Sequence, residues 1–187
     1  MHKRTAVLVA LALALCACGP LGKVEQGRVV GYDRQTRRLT LIPEDPAAPS
    51  ALGELPPITL EAPTDPAEMG PAPAAGGLMR LDTAKRRMVV YDRSSKSFRA
   101  IPYELLAEQR NVAKSPGPPV VDRARKTISL YAAKDHALIT FGASEDLLAM
   151  PADTWRAGDV VRYYYKEPGR ALRLMNVTRT DLSKSAG

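Results

Sequence analysis

The chain has 187 residues, enough for one domain of ordinary size or two small ones. With 45% apolar and 25% charged residues its composition is globular, and with only 5% aromatics its core must be lean and aliphatic. Two Cys and two His exclude a Cys/His metal cluster and a disulfide scaffold, and no apolar run reaches the roughly 18 residues of a permanent membrane span.

The N-terminus has the order of an export signal. His2, Lys3 and Arg4 give a positive start, and residues 6–17 form an apolar run without a charge. As a helix that run would cover about 18 Å, short of the roughly 30 Å bilayer core but right for the apolar segment of a secretory signal. It ends in Leu15-Cys16-Ala17-Cys18-Gly19. These residues resemble the lipobox of bacterial lipoproteins, in which Leu stands three before a Cys and a small residue directly before it. The resemblance makes Cys18 the lipidated first residue of the mature chain. Cys16 is the weaker candidate because the bulky Leu15 precedes it, and an ordinary cleaved signal is the alternative. Gly19, where an Asp would favour inner-membrane retention, implies by the same resemblance an outer-membrane lipid anchor facing the periplasm.

Cleavage before Cys18 would also remove Lys3 and Arg4. It would leave 25 basic against 20 acidic residues, a net charge of +5. The sulfur of the remaining Cys would be consumed by lipid, so no disulfide would form even in an oxidising compartment.

Residues 18–22 read as a tether, after which strands and turns begin. Residues 27–33 and 38–42 form one hairpin signal, and the same grammar returns at 78–82 with 87–91, 91–92 with 97–101, and 120–122 with 127–131. Each copy opens its turn with an Asp (Asp33, Asp82, Asp92 and Asp122), whose side chain can accept from the backbone N–H two residues on. The spacings between these Asp residues, 49, 10 and 30, are too irregular for a solenoid or propeller.

Nine of the sixteen prolines fall within 43–77, which predicts an extended surface loop or a flexible linker with one pairing island at residues 58–60. Pro102 followed by Leu105, Leu106 and Val112 predicts a short helix over 102–112, and Ser144 an N-cap for another over 144–149. A second break lies at 115–119. Beyond it, the succession of hairpin, short helix, Gly158-Asp159 turn, strand 160–165 and last strand resembles small OB-like barrels of secreted bacterial proteins. The expectation is an all-β chain of OB- or SH3-like barrels built from hairpins. It has an N-terminal β region at 23–114, a C-terminal OB-like region at 115–180 and a tail at 181–187. The whole chain also resembles an uncharacterised lipoprotein family of sulfate-reducing bacteria, which implies no activity.

Alternation places Val161, Tyr163 and Tyr165 on one face of strand 160–165 and Arg162 with Tyr164 on the other, making Arg162 and Tyr164 the candidate ligand or partner surface. Basic residues gather at the hairpin tips, among them Arg34, Arg37, Arg86, Arg93, Lys96, Arg125 and Lys126. In an exported chain these cations suit water or anionic headgroups, at about 1 kcal/mol each near a charged surface, rather than nucleic acid. An envelope protein, anionic lipid or polysaccharide is therefore the expected partner, in addition to the membrane reached through the lipid.

His136 is the one His beyond the leader and reads as a turn residue between strands ending at Tyr131 and beginning at Leu138. A copper reading rests on the order His136, Met150-Pro151, Trp155, Gly158-Asp159, which is similar to small periplasmic copper-binding barrels. It departs from them in lacking a Met-x-Met pair and in placing Trp155 after the Met. There His136 and Met150 would be the ligands, soft enough for Cu(I). No nucleophile elbow and no supported Ser-x-x-Lys motif is present, and no cofactor is implied. The reading is a non-catalytic interaction or assembly module, with metal or small-ligand carriage as the alternative.

Overall fold

A computed structural model describes residues 21–44 and 55–180. The fold is all-β, with twelve strands among the described residues, arranged in three antiparallel sheets. The strands are β1 (Lys23–Asp33), β2 (Arg38–Pro43), β3 (Ile58–Glu61), β4 (Met79–Asp82), β5 (Arg87–Asp92), β6 (Ser97–Pro102), β7 (Glu104–Gln109), β8 (Val120–Asp122), β9 (Thr127–Ala132), β10 (Ala137–Gly142), β11 (Val160–Tyr165) and β12 (Arg173–Asn176). One short helix, α1 (Glu145–Leu148), follows β10.

All four anticipated hairpins form, each opened by its Asp, though the expected bond from two residues on is made at Asp33 and Asp92 while Asp82 and Asp122 accept from three residues on. Asp33 Oδ1 accepts from the N–H groups of Gln35 and Thr36, Asp82 from Lys85, Asp92 from Ser94 and Asp122 from Arg125. Each loop ends in a basic residue with left-handed backbone, Arg37, Arg86, Lys96 or Lys126, at φ between 47° and 52°. Four-residue loops built on a type I turn need such a residue to bring the chain back into register. The fifth hairpin, β9–β10, uses His136 for the same purpose at φ 48°.

The first sheet runs β12-β11-β1-β2-β3. Its edges are drawn together where the Glu61 N–H donates to the Gly169 carbonyl and the Ala171 N–H to the Glu61 carbonyl, a parallel bridge that closes the sheet over Val29, Leu39, Leu41, Leu60, Val161, Tyr163 and Leu174. A bulge between Val29 and Gly31 changes the parity of β1. Val29 and Tyr32 therefore both face this core, whereas Val30 turns outward to pack with Ile42, Leu78 and Tyr91.

The other two sheets, β4-β5-β6 and β7-β10-β9-β8, share a second core. Met88 and Val90 come from β5, Ile128 and Leu130 from β9, Ile139 and Phe141 from β10, and Leu147, Leu148 and Trp155 cap one end. The cluster of Val30, Ile42, Leu78 and Tyr91 joins this sandwich to the first sheet.

Two expectations need correction or refinement. Residues 102–112 are not a helix: Glu104–Gln109 is the edge strand β7, paired with β10. A helix would have buried Leu105 and Leu106 together. Instead Tyr103 and Leu105 alternate into the sandwich, Tyr103 packing in a tilted pair with Phe141 at 4.5 Å between centroids, and Leu106 is 53% exposed. The segment 115–180 spans two sheets: β8–β10 belong to the sandwich, whereas β11 pairs with β1, Gly27 opposite Val161. The island at 58–60 does pair, as β3 on β2, and Ser144 caps α1, its Oγ accepting from the Leu147 N–H.

Candidate functional site

Strand β11 lies between β1 and β12, and the registers bring two sets of side chains together. On the outer face Val24 lies opposite Tyr164 and Tyr164 opposite Arg173, while Gln26 lies opposite Arg162 and Arg162 opposite Met175. Val24, Arg162, Tyr164, Leu172, Arg173 and Met175 line a depression of about 560 Å³. Arg162 is exposed and donates to Gln26 Oε1 at 3.3 Å. Arg173 donates through Nε and Nη2 to the Glu68 carboxylate, and that contact lowers the Glu68 pKa. Arg162 and Tyr164, the residues singled out from alternation, are thus two members of a three-strand surface.

The inner face carries a cluster that strand alternation alone did not reveal. Tyr163 and Tyr165 stack with centroids 5.7 Å apart, and their hydroxyls donate to the two carboxylate oxygens of Glu25, at 2.9 Å and 2.6 Å. Burial first, then the bond to Glu25, raises the Tyr163 pKa. With Ile58, Leu60 and Arg170 these groups line a second depression, of about 380 Å³. That the two tyrosines share a face was readable from the sequence. That Glu25 meets them depends on a pairing made across about 140 residues.

The proposed metal ligands lie in different surroundings. His136 closes the β9–β10 turn, with its Nδ1 3.4 Å from the Tyr131 hydroxyl and its carbonyl accepting from the Val112 N–H. Met150 packs against the sandwich core and lines a depression with Tyr91, Arg93, Arg99 and Asp146. Many tip cations are tied into the fold: Arg37 pairs with Glu61, Arg93 with Asp153, Arg99 with Asp146 and Lys126 with Glu145, while Arg123 donates to the Leu148 carbonyl. Cys18 and Cys16 lie outside the described residues, and no helix among the described residues is long and apolar enough to cross a membrane.

A family model described as a domain of unknown function, DUF4881, matches residues 20–185. The chain belongs to that family. The DUF4881 match takes in all three sheets, so the five-stranded sheet and the sandwich both lie within the family's domain. No curated protein and no solved structure matches the chain.

Proposed function

We propose that this DUF4881 protein is a lipid-anchored module of the bacterial envelope, held through Cys18 in the outer membrane and facing the periplasm. It works there by non-catalytic contact or assembly. The lipobox-like Leu15-Cys16-Ala17-Cys18 supports the anchor. The observation that carries the contact role is the outer face of β11, where apolar side chains of Val24, Tyr164 and Leu172 lie beside the guanidinium of Arg162 within a few residues of the anchor site. Mixed apolar and cationic surface of this kind is typical of contact sites rather than of a solvated sheet face. In two of the other depressions the carboxylates Glu25 and Asp146 are engaged in structural contacts, Glu25 by two phenols and Asp146 by Arg99.

Fractionation of cells expressing the native protein and the Cys18→Ala variant tests the reading. The native chain should sediment with outer membranes, and the variant should lose the lipid and accumulate as precursor or in the periplasmic fraction. A Cys18→Ala protein that remains processed and outer-membrane bound as before would overturn the anchor.

A further inference from the structure

We infer that the outer face of β1, β11 and β12 is a membrane-docking surface that rests on the phospholipid headgroups of the bilayer holding the anchor; the inference builds on the lipid-anchored reading above. Of the six large apolar side chains exposed among the described residues, Leu21, Val24 and Leu172 are 95%, 62% and 39% exposed, and all three belong to this end of the molecule. Val24 and Leu172 line the same depression. Leu21 directly precedes Gly22, which lies so close to Tyr164 that a Cβ there would stand 2.1 Å from its ring.

Chain length then fixes where this surface sits. Leu21 is three residues beyond Cys18, so a lipidated Cys18 would hold its Cα within about 11 Å of the Cys18 Cα. That is comparable to the depth of one headgroup layer, roughly 5–8 Å on each side of the hydrocarbon core. β1 must therefore begin at the membrane surface, and the face adjoining its first residues lies within reach of the headgroups. Its chemistry matches that position. Tyr164 offers an apolar ring with a polar tip, suited to the interface. Arg162 carries positive charge toward phosphates, and Val24, Leu172 and Leu21 supply apolar contacts of modest depth.

Partner-strand addition is disfavoured at this place. The free side of β12 is covered where the Gly70 N–H donates to the Leu174 carbonyl, and the segment leading into β12 is bridged to Glu61. A docked partner would have to use side chains rather than an open backbone ladder.

The test uses the full-length lipidated protein in vesicles of phosphatidylethanolamine and phosphatidylglycerol. Once Cys16 is removed with the leader and the Cys18 sulfur is acylated, an introduced Cys is the single free thiol. A spin label at Leu172→Cys should collide more with oxygen than with a water-soluble nickel complex, whereas a label at Ser95→Cys, on a hairpin tip, should behave as in water. Adding Val24→Asp and Arg162→Glu to the Leu172→Cys protein should abolish that contrast while the mass of the acylated N-terminus stays unchanged. Should the Leu172→Cys protein fail to fold, a label at Val24→Cys serves the same purpose. Equal water exposure at both positions in a demonstrably lipidated protein would overturn docking and leave the anchor intact. Spin–spin broadening at Leu172→Cys without lipid contact would overturn it in favour of a second copy of the chain. An N-terminus without lipid would remove the anchored reading, and docking with it.

Discussion

The five-stranded first sheet and the sandwich are assembled by different routes. The sandwich takes its strands from a continuous stretch, β4 to β10, joined by tight turns and short connections, so most of its contacts are local. The first sheet takes β1, β2 and β3 from one end of the chain and β11 and β12 from the other, with Gln26 meeting Arg162 across 136 residues. Its completion therefore depends on long-range closure, which folds late and costs more chain entropy. Both candidate surfaces lie on that sheet, because only there do residues from the two ends of the sequence meet.

The difference predicts unequal responses to mutation. The largest effect is expected at Gly158, where a Cβ would stand 1.8 Å from the Val29 carbonyl oxygen and 2.9 Å from the Gly76 nitrogen, both backbone atoms that cannot swing aside. Gly158→Ala should cost more than about 4 kcal/mol, at the exceptional end for a single substitution. Hydrogen exchange should show protection lost first in β1, β11 and β12 and retained longest in β9 and β10. Uniform loss over both regions would show that the two do not differ in cooperativity.

Phe141, fully buried in the sandwich against Tyr103, comes next. Phe141→Ala should lower stability by about 3–5 kcal/mol in thermal or denaturant unfolding, reducing protection in β9 and β10 at least as much as in β11. A cost below 1 kcal/mol would contradict the packing described for that core.

The smallest effect concerns the turns. The Ser94 hydroxyl and backbone N–H donate to Asp92 and hold its pKa at about 2, below the ordinary 3.8. A carboxyl depressed on folding stabilises the native state above its unfolded pKa, and that contribution fades as pH falls from about 4 toward 2. Asp92→Asn removes it. The stability gap between native protein and variant should be constant from pH 5 to 7 and shrink below pH 4; a gap that widened in acid would reverse the assignment.

These contrasts also explain what was legible in the sequence. Asp33, Asp82, Asp92 and Asp122 announced their hairpins because an Asp-initiated turn is a local device, complete within five residues. Ser144 and the 58–60 island were readable for the same reason. Strand β7 was not. Glu104–Gln109 has good helix formers, and only the edge offered by β10 and the pocket for Tyr103 decide in favour of a strand. The β1–β11 register was equally hidden, since alternation specifies which residues share a face but not which distant strand will lie alongside. Arg162 and Tyr164 could therefore be named as a surface, while Val24, Leu172 and Arg173, which complete it, could not.

Intact mass spectrometry of the protein purified from its native membrane tests the central claim most directly. The account predicts a mature chain beginning at Cys18, with mass added by a diacylglyceryl thioether on that residue and the first 17 residues absent. An unmodified N-terminus at another residue, or a retained leader, would contradict it.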